Sequence, residues 1–504
     1  MSLLSLQLLF FVLAVLSSTI FLLLLRNRGS YSTRTCLPPS PSKLPIIGSL
    51  HQLGTLPHRS LQAMADKLGP IMLLQLGQVP ALVISSMDMA REVMKTQDHI
   101  FASRPSLKVP KTLLYDGRDV AFAPYGECWR QARKLSVLHL LSPKMVQSYN
   151  LIREEEVAFM IGAVSRSCSS GTVVMNMSEV LNSLAKNIIS RTALGKCPRE
   201  AEWYNIIHVV IHECSKMMGA FYVGDYFPSL SWLSRLTGLD ARVSKLFKKV
   251  DEILDAIVDD RINRSSHDDH KTEDFVDILL SLEKETNKNV SFGRENIKAI
   301  VEDLFGAGTE STFVVMEWVL ADLIRNPEAR KRLKDEIKGI VGSKPMVKEE
   351  DLNEMNYLKA VIKESMRLHP PGPFLVPRES IEGTKITGYV IPRGARIFVN
   401  VWAIQRDPKM WEAPEDFRPE RFMGSSIDFK GHDFQFIPFG AGRRICPGIG
   451  FAVPIIELAI ANLMHQFDWK LPDGMKEEDM DMTEAFGLTM RKKSALQLLA
   501  TPCL

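Results

Sequence analysis

The stretch PFGAGRRICPG, residues 438–448, places one cysteine, Cys446, among three glycines and two arginines, with Pro447 directly after it. A free cysteine is usually buried and behaves as a small hydrophobe. That reading leaves Gly440, Gly442 and Gly448 unexplained. Glycine is used where a backbone must turn tightly or come close to another group. A thiolate needs nearby positive charge or amide donors to remain ionised, and Arg443, Arg444 and the loop amides can supply both. Soft anionic sulfur of this kind suits iron. The stretch therefore predicts a metal-ligating thiolate on a loop, with a helix starting after Gly448.

Other stretches carry chemistry of their own. Glu364-Ser365-Met366-Arg367 sets an acid and a base at i and i+3 on one helix face, where they can pair; on a surface such a pair contributes little. HPPGPFLVPR (369–378) and FRPERF (417–422) follow it. ECWRQARK (127–134) spaces the indole N–H of Trp129 and the guanidinium of Arg133 one helical turn apart. Both groups only donate hydrogen bonds, so together they suit a carboxylate, although the spacing alone fits a surface pair equally well. EDLFGAGTESTF (302–313) sits in a long apolar helical pattern. Gly306 and Gly308 each cost about 1 kcal/mol against alanine in a helix interior. Close approach of a ligand or a local distortion would explain them; helix packing is the alternative. Asp303 reads as a surface acid, because charged side chains are rarely buried unpaired, with a cationic substrate nitrogen as the other reading.

Together these motifs resemble the cytochrome P450 family, and in particular the plant microsomal enzymes of its A-type clan. The resemblance runs from the N-terminus to GLTMRKKSALQLL (487–499). It implies a mainly α fold with small β-sheets, with haem b between a long central helix and the cysteine loop. Cys446 would be the axial ligand, with Phe439 and Gly440 in the same cofactor-binding loop. Trp129, Arg133, Arg378 and Arg444 would hold the propionates, the arginine fork matching a carboxylate. Glu364, Arg367 and Arg421 would form a scaffold triad. The family pattern [AG]-G-x-[DE]-T-[TS] aligns with Ala307–Thr312, which makes Glu310, Ser311 and Thr312 the acid–alcohol group that delivers protons. Ser311 stands where threonine is usual; it keeps the hydroxyl but loses the methyl and its rotamer restriction. The resemblance further implies a monooxygenase fed from NADPH by a separate flavoprotein, NADPH–cytochrome P450 reductase, with cytochrome b5 as an additional donor. No GxGxxG follows a strand here, so a nicotinamide or flavin site in this chain is unsupported. Two rival readings are an oxygen-independent rearrangement enzyme of the same fold and a non-enzymatic haem-binding membrane protein.

Residues 2–25, SLLSLQLLFFVLAVLSSTIFLLLL, carry no charge and exceed the roughly 20 apolar residues that span a bilayer core. A signal peptide would put basic residues ahead of a shorter apolar run. Here Arg26, Arg28 and Arg34 come after it, and basic flanks stay cytosolic. The expectation is a transmembrane anchor at 1–25, a basic and proline-rich hinge at 26–48 and a cytosolic catalytic domain at 49–504, on the endoplasmic reticulum membrane. Pro38, Pro39, Pro41 and Pro45 make the hinge stiff and extended. The cysteines at 36, 128, 168, 197, 214, 446 and 503 contain no CxxC pair, which speaks for a reducing compartment. A net charge of +3 and the lack of a basic stripe interleaved with aromatics exclude a nucleic-acid partner.

The remaining pattern predicts a helix over SLQAMADKLGP (60–70), a hairpin over IMLLQLGQVPALVI (71–84) turning at Gly77–Pro80, and mostly helix from 127 to 340. A second strand-rich patch spans 374–401, with turns at Glu382-Gly383 and Arg393-Gly394. His267 and His270 lie in NRSSHDDHKTED (263–274), a solvated loop rather than a metal site. The segments with which the family lines its cavity include Leu113, Phe122, Phe221, Ile300, Leu304, Phe374, Val376, Phe486 and Leu488. They are mainly apolar, so a lipophilic specialised metabolite, such as a terpenoid or alkaloid, is the expected substrate.

Overall fold

The computed structural model describes residues 36–169, 173–195, 202–264, 274–285 and 292–503. The predicted anchor, the first part of the hinge, and His267 and His270 lie outside the described residues. From Cys36 to Lys43 the chain has no helix or strand, and the amide of Leu73 donates to Pro39 O at 2.9 Å, so the proline segment runs against the body.

The longer helices are α1 (Pro57–Leu68), α2 (Glu127–Leu135), α3 (Asn150–Ser169), α4 (Met177–Leu194), α5 (Glu202–Met218), α6 (Leu239–Arg264), α7 (Phe275–Glu285), α8 (Arg294–Arg325), α9 (Pro327–Val341), α10 (Asn356–Leu368) and α11 (Ile449–Gln466). The 32 residues of α8 make a rod about 48 Å long. It packs chiefly along α4, and also against α5, α10 and α11. Gly308 explains the closeness of α8 and α4. A Cβ there would lie 2.7 Å from Ile189 Cδ1 on α4, so a side chain at this crossing would push the end of Ile189 aside. A Cβ on Gly306 would only touch Ile211 of α5 at 4.0 Å. The contact with Ile189 supports the helix-packing reading of Gly308. Among the described residues, α11 is the one helix long and apolar enough to cross a membrane, yet 56% of it is buried inside the molecule.

The strands are β1 (Ile71–Leu76), β2 (Val79–Ile84), β3 (Val174–Asn176), β4 (Arg378–Glu379), β5 (Thr384–Ile386), β6 (Tyr389–Ile391), β7 (Arg396–Val399), β8 (Phe467–Lys470), β9 (Glu484–Ala485), β10 (Arg491–Lys492) and β11 (Gln497–Pro502). The hairpin β1–β2 pairs from Ile71↔Ile84 to Leu76↔Val79, leaving a two-residue turn at Gly77-Gln78. Strand β2 then pairs in parallel with β7, and β7 with β4. The two strand patches of the sequence therefore join in one sheet, ordered β1-β2-β7-β4, with β5 and β6 as a separate hairpin. The turn at Arg393-Gly394 falls where expected. The other tight turn is Thr387-Gly388, both at positive φ, rather than Glu382-Gly383. Two successive left-handed residues match the twist of a short hairpin, and a β-branched threonine is an uncommon choice for the first of them. Two sheets were not anticipated, β3-β11-β8 and β9-β10. The pairing of β11 with β3 spans most of the chain (Gln497↔Asn176), and β9 and β10 are two residues each, paired locally (Arg491↔Ala485).

Candidate active site

The cysteine loop is held by its own backbone. Cys446 N donates to Phe439 O at 2.9 Å, and Gly440 N to Ile437 O at 2.9 Å. Gly442 has φ +68, and a Cβ there would stand 2.1 Å from Met94 O. The close approach that demands this glycine is to the protein's own chain. The Cys446 thiol is partly accessible and lies just before α11. Burial raises its pKa, while the Gly448 amide and the Arg133 guanidinium work in the opposite direction. Arg133, near the end of α2, donates to Ile445 O at 2.6 Å, directly beside the cysteine.

Arginines converge on this loop. Arg378 donates to Asp98 Oδ1 at 2.9 Å and to Ala441 O at 2.8 Å. Arg444 donates to Ala102 O at 2.7 Å and Ala123 O at 2.6 Å. Its guanidinium lies 4.0 Å from the centroid of the Trp129 ring. The Trp129 indole N–H itself donates to Val120 O at 3.0 Å. A further member, Arg104, donates to Ala121 O at 2.9 Å and Pro377 O at 3.0 Å. Burial, and next to it the repulsion of Arg378 and Arg133, pushes the Arg444 pKa down to about 9. Arg104 is held well below its usual value by burial and by Arg444, Arg378 and Arg133. The carboxylates that oppose them are Asp98 and Asp119. Buried Arg104, Arg378 and Arg444 and partly buried Arg133 stand against these two buried carboxylates, so positive charge is in excess. Sequence reasoning missed Arg104. Its one signal is a charged residue in an apolar stretch, FASRP (101–105).

On α8 the expected acid–alcohol group comes together only in part. Glu310 Oε1 accepts from Thr489 Oγ1 and from Arg491, each at 2.8 Å. Ser311 donates its hydroxyl back to Ala307 O at 2.6 Å. Thr312 is buried, 1% exposed, and its hydroxyl has no partner among the described residues. Ala307 is exposed and Ser311 half-buried, and they share a face with Asp303 at four-residue spacing. Asp303 is not a surface acid. Its Oδ2 accepts the amides of Val120 at 2.7 Å and Ala121 at 3.2 Å, which ties α8 to the 119–123 loop. Its pKa is raised well above the usual range by burial and by Asp119. Of the apolar residues expected at the cavity, Leu113 and Ile300 are buried, whereas Phe221 and Phe486 are exposed.

The ExxR pair is buried as a triad. Glu364 accepts from Arg367 at 2.7 and 2.9 Å, from Arg421 at 2.9 Å and from the amide of Arg418 at 2.9 Å. Arg367 spends its remaining donors on Gln405, Pro414 and Asp416 carbonyls, locking the end of α10 to the 405–421 segment.

A mainly helical body, with a cysteine loop at one end of its last helix and a glycine-containing central helix, defines a class, and the comparisons agree. A sequence model described as "Cytochrome P450" matches residues 38–498, so the chain belongs to the cytochrome P450 family and is a monooxygenase of that family. It is similar to cytochrome P450 71A1 of Persea americana, 49% identical over 90% of this chain and 91% of that one. It is also similar to cytochrome P450 71A2 of Solanum melongena, 47% identical over 96% and 97%. The strychnine-11-hydroxylase of Strychnos nux-vomica is 45% identical over 99% and 98%. Among solved structures, a zebrafish cytochrome P450 with progesterone superposes with a TM-score of 0.74 at 25% identity, covering 88% of this chain and 99% of that one.

Haem with a thiolate-ligated iron is the cofactor of this family. The residues present fit it. The excess of guanidinium over carboxylate beside the cysteine loop suits a group that carries carboxylates, since a buried charge without a counter-ion is costly. A soft sulfur with an amide donor on it matches the iron.

Proposed function

We propose that this chain is a membrane-anchored haem–thiolate monooxygenase that inserts one oxygen atom from O2 into a lipophilic specialised metabolite, a terpenoid or an alkaloid. Electrons come from NADPH through NADPH–cytochrome P450 reductase, with cytochrome b5 as an additional donor, on the endoplasmic reticulum membrane. The observation that carries the reading is the arginine excess beside the Cys446 loop, which among the described residues Asp98 and Asp119 neutralise only in part. When bound, haem supplies O2 activation at its iron. Cys446 is the sulfur ligand, and Arg104, Arg133, Arg378 and Arg444 take the propionates, with Trp129 packed under Arg444. Phe439 and Gly440 shape the loop around the sulfur. The 49–504 body is cytosolic, on a 26–48 hinge and a 1–25 anchor.

The proton route is assigned to Glu310 and Ser311. Glu310 is held by Arg491, whose side chain is 34% exposed, so the acid communicates with solvent. Ser311 is partly accessible and its oxygen is free to accept while it donates to Ala307 O. Thr312, being buried, is the weaker candidate. Ser311→Ala should then lower product formed per NADPH consumed and raise peroxide release, with substrate affinity little changed. Ser311→Thr should restore or improve coupling, because threonine makes the same bond to the i−4 carbonyl with a stiffer rotamer. Stopped NADPH assays with peroxide quantitation read both; unchanged coupling in the alanine variant would make the hydroxyl idle.

Reductase-supported turnover of a metabolite panel, with and without O2, tests the function itself. Product formed without O2 or NADPH would favour the rearrangement enzyme. The topology has its own test. The sequons at Asn176, Asn263 and Asn289 should carry no glycan on a cytosolic body. A glycosidase-sensitive mass shift of protein from native membranes would place the body in the lumen.

A further inference from the structure

A cavity of about 800 Å³ lies where the ends of α8 and α10 meet the start of α1, the 415–418 segment and β9. No residue assigned above to haem or to the proton route lines it. Its wall is charged: Arg59, Arg325, Arg406 and Arg418 stand with Asp322, Glu415, Asp416, Glu484 and His369. Part of this charge is spent within the wall. Glu484 Oε2 accepts from Arg59 at 2.9 Å and lies 3.1 Å from His58 Nε2. Glu415 accepts from Arg406 Nε at 3.2 Å, and Asp322 Oδ1 lies 3.3 Å from His369 Nε2. Asp416 is exposed. The rest is not spent. Arg406 is 4% exposed, its guanidinium lies 4.1 Å from the centroid of the Trp402 ring, and its Nη1 has no partner among the described residues. Asp322 is 2% exposed, and its Oδ2 has none either. Arg325 is exposed, with no carboxylate paired to it among the described residues. Arg418 comes no nearer to Glu412 than 3.8 Å, beyond hydrogen-bond distance.

The unmade bonds define the ligand. Two loosely held guanidiniums match a doubly charged oxyanion, whose oxygens fit the arginine fork. The free N–H of Arg406 calls for an acceptor. The free oxygen of Asp322 calls for a donor, and this carboxylate repels any anion that brings none, since a buried polar atom left unpaired is unfavourable. An oxyanion with a hydroxyl of its own meets all four groups. Hydrogen phosphate is the simplest such ion; sulfate, which carries no proton near neutral pH, fails at Asp322. We infer that this cavity is a binding site for a phosphate group that presents a hydroxyl, free as hydrogen phosphate or carried on a small ester. Arg325, Arg406 and Arg418 take the oxyanion, and Asp322 accepts the hydroxyl. His369, whose ring stacks on Trp318 at 3.9 Å between centroids, holds Asp322 in place. The volume leaves room for an ester beyond the phosphate itself.

The test uses the full-length holoenzyme in buffer free of phosphate and sulfate, titrated calorimetrically near neutral pH with inorganic phosphate, glycerol 3-phosphate or sulfate. The wild type should bind at least one of the two phosphates about tenfold or more tightly than sulfate, the tighter of the two identifying the source as free ion or ester. Arg325→Ala/Arg418→Ala should weaken phosphate binding by about ten- to a hundredfold, the worth of hydrogen bonds to a charged group. Both arginines are on the rim, so this variant should keep the wild-type melting temperature without ligand and lose the rise that phosphate gives the wild type. Asp322→Asn should admit sulfate to within about twofold of phosphate, because an amide N–H donates where a carboxylate repelled. If that variant does not fold, the arginine pair carries the test alone. Sulfate bound as tightly as phosphate by the wild type, no saturable phosphate binding, or phosphate affinity unchanged in the arginine variant overturns the inference. None of these readouts depends on turnover, so their failure leaves the monooxygenase reading standing.

Discussion

Replacing Cys446 with serine should remove the thiolate-type band from the reduced CO difference spectrum and reduce NADPH-dependent turnover to background. A serine hydroxyl is too weak an acid to ionise where a thiol does, so the anionic ligand is lost outright. The loop should survive the change. Its shape rests on the Cys446 N to Phe439 O bond and on the contact of Gly442 with Met94 O, and neither involves the sulfur. The variant should therefore stay folded, with circular dichroism and urea midpoint near those of the wild type freed of haem. An unchanged CO band in a folded Cys446→Ser protein would remove this cysteine from the iron.

The largest effect on stability is expected at Glu364. Its carboxylate is fully buried and receives two donors from Arg367, one from Arg421 and one from the Arg418 amide. Glu364→Ala leaves the equally buried Arg367 guanidinium without a counter-charge. Removing one partner of a buried pair costs about 3–5 kcal/mol, a large share of the roughly 5–15 kcal/mol that holds a domain together. The variant should accumulate poorly and shift its urea midpoint accordingly. Glu364→Gln, which keeps the shape and one acceptor, should lose less. In Glu364→Leu/Arg367→Met the unpaired charge is gone, and part of the loss should return, because apolar replacement of a whole buried pair is often tolerated. A Glu364→Ala protein within about 1 kcal/mol of the wild type would mean that the triad is no more than a surface-like ion pair.

Some of this molecule is legible because the signal is local. The β1–β2 hairpin, the end of α1 at Gly69 and the start of α11 after Gly448 follow from alternation, turn residues and helix caps within a dozen residues. The cysteine loop and the ExxR pair could be quoted from the chain because their residues lie within one loop and one helical turn. Arg421 joined the pair by resemblance alone, and the fold supplies the distance.

What stayed hidden depends on which surfaces meet. Asp303 looked exposed because a sequence shows a charge but not the two loop amides that hold it. Gly308 looked like room for a ligand because a missing side chain reads the same whether a ligand or the flank of Ile189 fills the space. The strands β2 and β7 are separate patches until their parallel pairing, some 300 residues apart in the chain, makes them neighbours. Arg104 became meaningful only when the fold collected the other charges around it. The family, the cysteine loop and the local elements can be read along the chain, since these rest on spacing between near neighbours. The arginine excess and the enclosed acids come only from packing, because the energy of a buried charge depends on every charge and dipole around it, whatever their distance along the chain.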